Sequence, residues 1–475
     1  MIKKLIKFSA SYTAIEGLQK GILFVLTPFF TLYMSPQEYG VIATILMIIP
    51  FFLAIFSLTL QSSISRYYYK YQSNPEQLKD FLGTNFILLT LVSISFALIS
   101  FLFLEHFFIY IFPDIEFNPY IIYALIIGAS QPIMIAYFAL LKAMQNLKMY
   151  IIVFNFYFSM QIFLMIISIV YFDMKHNGYI LSIVITNLFF VTIVFIFIYN
   201  QINFCLKNKY IKESLSYSLP IIPVDGIGLI STMIDRYYIL KFIGLAGVGV
   251  YFVGYQVALI VNLITRAINS AYLPMFFSKY ENNETDYNEI YRIGEFMVYI
   301  SALIALVLSV FSPILIELLF DKSYAEAKNV IIYLSFSSAF TSVYFLNTNV
   351  LSLEVVLVKL KTIGIIIGAI ISVVLGFFMT KYCGLVGAAI STLSGFVITT
   401  LILIYIVNKK TNFNFHNMRS ITFLIIMFIV GHIAIDISSI IYKIIFLFFT
   451  VLFVMYIYEK KLILGVLHGN FNFKI

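Results

Sequence analysis

The sequence predicts an all-α integral membrane protein with about 14 transmembrane helices. Three observations predict it. Of 475 residues, 62% are hydrophobic and 11% charged, where a soluble domain carries roughly 25% charged residues. Apolar runs of about 20 residues, enough to cross a bilayer, recur along the whole chain. The joining segments are short, leaving no room for an extramembrane catalytic domain.

In order, the runs fall at 9–33, 40–63, 81–104, 118–141, 149–172 and 178–200, then at 214–240, 246–272, 293–319, 328–350, 359–380 and 384–407. A final pair lies at 419–436 and 441–458, where Asp436 and Lys443 bracket a very short turn. The run at 214–240 carries Asp225, Asp235 and Arg236 together with Pro220, Pro223, Gly226 and Gly228, so a kinked helix lining something polar is expected. Residues 8–41 repeat its plan. Ser11-Tyr12 answers Ser216-Tyr217, Glu16 answers Asp225, and Gly40-Val41 answers Gly249-Val250. The chain therefore divides into an N-terminal lobe over 1–205, a C-terminal lobe over 206–410, and an extra helix pair with a tail over 411–475. With an even number of spans per lobe, the two form a parallel repeat.

Basic residues orient the spans. Lys3, Lys4, Lys7, Arg66, Lys70, Lys79, Lys142, Lys148, Lys207, Lys209 and Lys212 share one side with Lys279, Arg292, Lys359, Lys361, Lys409, Lys410, Arg419, Lys460, Lys461 and Lys474. Only Lys175, Arg236, Lys241, Lys322, Lys328, Lys381 and Lys443 fall on the other. The positive-inside rule then places both termini in the cytoplasm. The start lacks a signal-peptide pattern and reads as an uncleaved first span. Trp is absent while Tyr numbers 35, so tyrosines supply the interfacial belt.

Catalytic motifs are scarce. His106, His176, His416, His432 and His468 include no pair at metal-ligand spacing, and Cys205 and Cys383 lie in different halves. The glycines of 244–251 join two hydrophobic helices and follow no soluble strand, which excludes a dinucleotide loop. No enzyme, cofactor, metal site or nucleic-acid partner is expected. What remains is charge at depth, which is expensive in a bilayer and normally faces a bundle interior or a wet cavity. Glu16 and Lys20 are four apart on one helix face, and Lys20 sits about 17 Å into the membrane at 1.5 Å per residue. Asp225 lies at similar depth. Arg66 and Arg266 mark the inner mouth, Lys20 the middle, and Arg236 with Asp235 the outer mouth. A structural role as ion pairs and interfacial anchors is the alternative for each. The distribution of cations suits an anionic head group moving through a central cleft.

The order and spacing of several short motifs resemble those of a polysaccharide-export flippase of the multidrug/oligosaccharidyl-lipid/polysaccharide superfamily. These motifs are Gln37-Glu38-Tyr39-Gly40, Ser218-Leu219-Pro220, Asp235-Arg236, Gly249-Val250-Tyr251 and 384–389 (GLVGAA), with Gly178-Tyr179 a reduced counterpart of the last. The resemblance covers the chain in length, loop pattern and two-lobe repeat. It implies two six-helix lobes facing each other in a V, with spans one, two, seven and eight lining the cleft. It further implies that a lipid-linked oligosaccharide of the undecaprenyl-diphosphate type moves between leaflets of the bacterial cytoplasmic membrane by alternating access. A surface-polysaccharide polymerase and a chain-length regulator become candidate partners alongside membrane lipids. Lys20, Arg66, Arg236 and Arg266 would form the substrate path. Glu16, Asp225 and Asp235 would serve as charge partners or coupling groups, with Asp225 the candidate carrier for a proton or sodium gradient. The rival is a cation-coupled drug or toxin extruder of the same superfamily, whose cationic substrates Lys20 and Arg266 would repel.

Overall fold

The computed structural model describes residues 2–282, 287–413, 415–435, 437 and 439–450. The side chains of residues 1–14 and of Glu16, Lys20 and Asp225 lie outside that description, and so does the backbone of Asp436. Among the described residues the fold is entirely helical, and the breaks follow local chemistry.

Helix α1 (Ile2–Thr31) is succeeded by α2 (Pro36–Ser57), which opens on a capping box. The Ser35 hydroxyl accepts from the Glu38 amide at 3.3 Å, and the Ser35 amide donates to the Glu38 carboxylate at 2.8 Å, with Pro36 fixing the first turn. At Leu58 and Thr59 the backbone turns left-handed (φ 44° and 51°), and a separate amphipathic helix α3 (Leu60–Tyr71) begins. The expected span 40–63 is thus broken near its end. Then come α4 (Pro75–Ile111), α5 (Ile122–Ala143), α6 (Leu147–Ile166) and α7 (Lys175–Ile198), with Asn74 and Asn146 capping α4 and α6.

The expected kinked span 214–240 is two helices. α8 (Asn208–Ser218) stops at the 3₁₀ turn Leu219–Ile221, and α9 (Ile222–Phe242) starts beside Pro223. The chain continues through α10 (Leu245–Glu281), α11 (Asn288–Leu319) and α12 (Lys328–Val350). The long helix α13 (Val355–Lys410) is two spans meeting at Gly384, whose φ of 59° and ψ of −140° suit only a residue without a Cβ. α14 (Asn417–Ala434) and a short apolar helix α15 (Ile440–Thr450) complete the described chain. Among the described residues, ten helical stretches are long and apolar enough to cross a membrane, the one over Val356–Lys410 being the pair joined at Gly384.

Three apolar clusters hold the bundle. One joins α3 to α8 around Phe81, Tyr137 and Tyr210, and another joins α10 to α15 around Phe276, Phe336 and Leu424. A central cluster containing Tyr39, Ile42, Tyr251 and Val253 crosses between the two halves. The helices alternate between an end rich in Lys and Arg and an end carrying the α1–α2 and α9–α10 turns, called here the basic end and the turn end. At the turn end α2 and α10 cross on glycine. A Cβ on Gly40 would lie 2.0 Å from the Leu245 carbonyl oxygen, and one on Gly249 the same distance from that of Pro36. Small residues at such crossings let backbones approach in lipid, where dispersion and polar contacts must do what the hydrophobic effect does in water. Tyr324 seals the same end, its hydroxyl donating to the Met34 carbonyl at 2.9 Å while its ring meets Tyr39 edge to face.

At the basic end α8 docks on α3 and α4. The Thr59 and Ser63 hydroxyls donate to the carbonyls of Ser218 and Ser214 at 2.8 and 2.9 Å, and Tyr210 packs on Tyr71 and Phe81. Glu213 receives both Lys70 Nζ and the Tyr71 hydroxyl. Partial burial works to raise the Glu213 pKa, but these two donors outweigh it and hold the carboxyl below its ordinary range. The Tyr71 phenol is pushed up to about 12 by burial and by the adjacent carboxylate. A carboxyl depressed in the folded state stabilises docking above its unfolded pKa, and that contribution disappears as pH falls through the depressed value. Docking of α8 is therefore expected to be constant between pH 8 and pH 6 and to weaken only below the ordinary Glu range. Distances between spin labels at Tyr69 and Lys212 measure this, and a transition near neutral pH contradicts it.

Further along, the C-terminal helices dock through polar contacts. Glu295 on α11 meets His416 at 3.2 Å and Arg419 at 3.8 Å, and the buried Lys443 ammonium donates to the carbonyls of Val310 and Ile435 at 3.0 and 3.1 Å. Most hydroxyls in the interior are satisfied by their own helix. Those of Thr44, Thr186, Thr265, Ser301 and Ser309 each donate to the carbonyl four residues back.

Candidate functional site

A cavity of about 920 Å³ opens between α1, α10, α12 and the second half of α13, with Asp235 of α9 at its wall. Its faces are chemically unlike. α1 contributes Leu18, Gly21, Ile22 and Val25, an apolar wall. α10 contributes Tyr255, Gln256, Leu259, Asn262, Leu263 and Arg266, a set at helical spacing that puts polar groups on the opposite side. α12 adds Ser337, Ser338 and Thr341. α2 contributes no lining residue, so the expected lining by spans one, two, seven and eight holds for α1, α9 and α10, while α12 and α13 take the place of α2.

Arg266 is exposed to the cavity. Its Nε donates to the Asn262 side-chain Oδ1 at 2.6 Å, and its guanidinium carbon lies 5.8 Å from the Phe345 ring centre. The remaining N–H groups have no partner among the described residues, so the fork is oriented by Asn262 and free to bind an anion. Asp235 is 5% exposed, and its carboxylate is already engaged. It accepts from the Tyr251 hydroxyl at 2.6 Å, from Thr392 Oγ1 at 3.3 Å and from the Arg236 amide at 2.7 Å. Arg236 is as deeply buried and does not reach the lining. Its guanidinium stacks on Tyr255 at 4.3 Å and Phe252 at 5.4 Å, with Nε unpartnered among the described residues. The adjacent Asp235 and Arg236 therefore form no ion pair with each other among the described contacts, and both side chains are buried.

Of the other residues singled out from sequence, Arg66 lies on α3, exposed, 5.5 Å from the Tyr217 ring and away from the cavity lining. Glu16, Lys20 and Asp225 fall on α1 and α9, their side chains outside the described residues. Sequence reasoning missed Tyr255, Gln256, Asn262, Thr392 and the α12 hydroxyls, and quoted Tyr251 only as part of a motif. The dense SFSSAFTS text over 335–342 was the available signal for α12.

The Asp235 network gives a direct expectation. Tyr251→Phe removes the shortest bond to a buried carboxylate, and hydrogen bonds to charged groups contribute about 1.5–3 kcal/mol. The purified variant is expected to melt several degrees lower and to transport more slowly. Unchanged melting and unchanged transport would show that Thr392 and the Arg236 amide suffice.

The all-helical bundle around a charged cavity has the fold of solved membrane transporters. The structure of the lipid II flippase MurJ in an inward closed conformation superposes with a TM-score of 0.69, covering 97% of this chain and 99% of that one at 17% identity. A MATE transporter of Vibrio cholerae, VcmN, gives 0.59 over 86% of this chain and 96% of its own at 16% identity. The chain belongs to the polysaccharide biosynthesis protein family, whose family model matches residues 5–281. The uncharacterized membrane protein MJ1068 of Methanocaldococcus jannaschii is 24% identical over 285 residues, 56% of this chain and 55% of the relative. The capsular polysaccharide biosynthesis protein CapF of Staphylococcus aureus is 26% identical over 190 residues, 39% of this chain and 48% of the relative. The chain spans about half the length of these curated relatives.

Proposed function

We propose that this protein is a flippase that moves a lipid-linked oligosaccharide of the undecaprenyl-diphosphate type from the inner to the outer leaflet of a bacterial cytoplasmic membrane, for surface polysaccharide synthesis. The observation that carries the reading is the state of charge in the cavity. Asp235 is engaged by three hydrogen-bond donors, whereas Arg266 keeps guanidinium N–H groups with no partner among the described residues, so the charge left for a ligand to pair with among the described side chains is positive. A cavity of that sign favours a diphosphate and disfavours the cationic substrates of a drug extruder. Family membership and the capsular relative support the polysaccharide context.

In this reading the basic end faces the cytoplasm with both termini, the lobes are 1–205 and 206–410 with the helices of 411–475 peripheral, and alternating access opens the cavity to each side in turn. The glycine crossing of α2 and α10 closes the outer side. Asp225 is the group we assign to coupling with a proton or sodium gradient, and a polymerase and chain-length regulator are the partners we expect.

The test uses purified protein in vesicles loaded with a polyprenyl-diphosphate saccharide. Protein-dependent exposure of the sugar to an added glycosidase supports the reading. Vesicles that expose no sugar but pump a cationic dye would replace it with the extruder.

A further inference from the structure

Cavity-facing polar groups without a partner in the protein are the ones a ligand can engage by displacing water. Ser337 is 3% exposed and Ser338 half-buried, both on the α12 wall. Unlike Thr44, Thr265, Ser301 or Ser309, neither hydroxyl donates to its own helix, and neither has any partner among the described residues. The Gln256 amide on α10 is likewise unpartnered, and so is the amide nitrogen of Asn262, whose oxygen holds Arg266. Ser335, also without a partner, is buried outside the lining and belongs to packing. These groups gather on one side of the cavity, facing the apolar wall of α1, where a ligand can take up their hydrogen bonds in place of water.

We propose that Ser337, Ser338 and Gln256 form a saccharide subsite that reads the sugar next to the diphosphate, an inference that rests on the flippase reading and deepens it. Gln256 and Arg266 are ten residues apart on one helix, so the subsite extends about 15 Å along α10 from the anion-binding fork. A hydroxyl and a carboxamide each both donate and accept, which matches the hydroxyl and acetamido groups of a neutral hexose. The Asp235 carboxylate lines the same cavity, and a second carboxylate there would meet like charge in a low dielectric. The ligand class is therefore a neutral or N-acetylated sugar, and a uronic acid is disfavoured.

The experiment measures affinities of the full-length detergent-solubilised protein for two probes, bare polyprenyl diphosphate and polyprenyl diphosphate bearing one N-acetylhexosamine. The wild type is expected to prefer the glycosylated probe at least about tenfold, since a few hydrogen bonds of ordinary strength supply that ratio. Combined Ser337→Ala, Ser338→Ala and Gln256→Leu collapses the ratio toward one, whereas Ser337→Thr with Ser338→Thr, which keep the hydroxyls, retain it. Arg266→Ala lowers both affinities together. If the triple variant is not recovered, Ser338→Ala alone must lower the ratio measurably. A ratio that survives hydroxyl removal, or a wild type indifferent to the sugar, overturns the subsite and leaves the diphosphate reading standing. A wild type that binds neither probe overturns the flippase reading and the subsite with it.

Discussion

Arg266→Ala is expected to reduce flipping of a lipid-linked saccharide in vesicles by at least about tenfold to a hundredfold, with the protein inserted in normal amount. A charge-assisted hydrogen bond contributes about 1.5–3 kcal/mol, and two unit charges 4 Å apart interact by about 4 kcal/mol at an effective dielectric near 20. Either figure exceeds the 1.4 kcal/mol that corresponds to a factor of ten. Arg266→Lys should recover part of the loss, because it restores the charge without the planar fork that Asn262 holds in place. Asn262→Ala should fall between the two. Folding is not at stake, since the Arg266 side chain is exposed to the cavity and its hydrogen bond to Asn262 is local. Full transport by Arg266→Ala would detach the cavity from the anionic substrate. Transport restored by Arg266→Glu would reverse the assigned sign.

Gly249→Val is expected to have the largest effect on the closed conformation. Its added carbon would meet the Pro36 carbonyl oxygen at 2.0 Å, where real Cβ contacts do not come below 3.0 Å. The obstacle is backbone on the first turn of α2, so no side-chain rotation relieves it. α2 and α10 must separate by about an ångström or more at the turn end, which also disturbs the Tyr39–Phe252 and Tyr39–Tyr324 ring contacts. Loss of transport, and a melting temperature lower by several degrees, are the expected results. Gly40→Val meets the Leu245 carbonyl in the same way. Because one crossing is broken by either change, the double variant should be little worse than each single one. Additive losses would show that the glycines act at separate places, and wild-type melting of Gly249→Val would mean that this crossing is not what holds the end shut.

Much of the candidate site was legible because charge in an apolar chain is conspicuous. Asp235 and Arg266 stood out for being expensive in a bilayer, and both line the cavity. Arg66 stood out equally and lies elsewhere, on a helix created by the left-handed break at Leu58 and Thr59, which no glycine or proline announces. Tyr255, Ser337 and Thr392 were silent because uncharged polar residues are common in membrane helices and cost little when satisfied.

The sequence by itself determined the class, the approximate spans, the broken helix at Pro220 and Pro223, and the paired Gly-Val motifs that meet where α2 crosses α10. Only the tertiary structure decided which faces look inward. In a soluble helix the buried face is written as an apolar stripe, but lipid is as apolar as the protein interior, so membrane helices carry almost no such stripe. That Asp235 turns to Tyr251 and Thr392 while Arg236 turns to Tyr255, and that α8 lies on α3 instead of extending α9, are choices among faces the sequence leaves nearly equivalent. They are settled by close packing and by the need of each buried polar group for a partner.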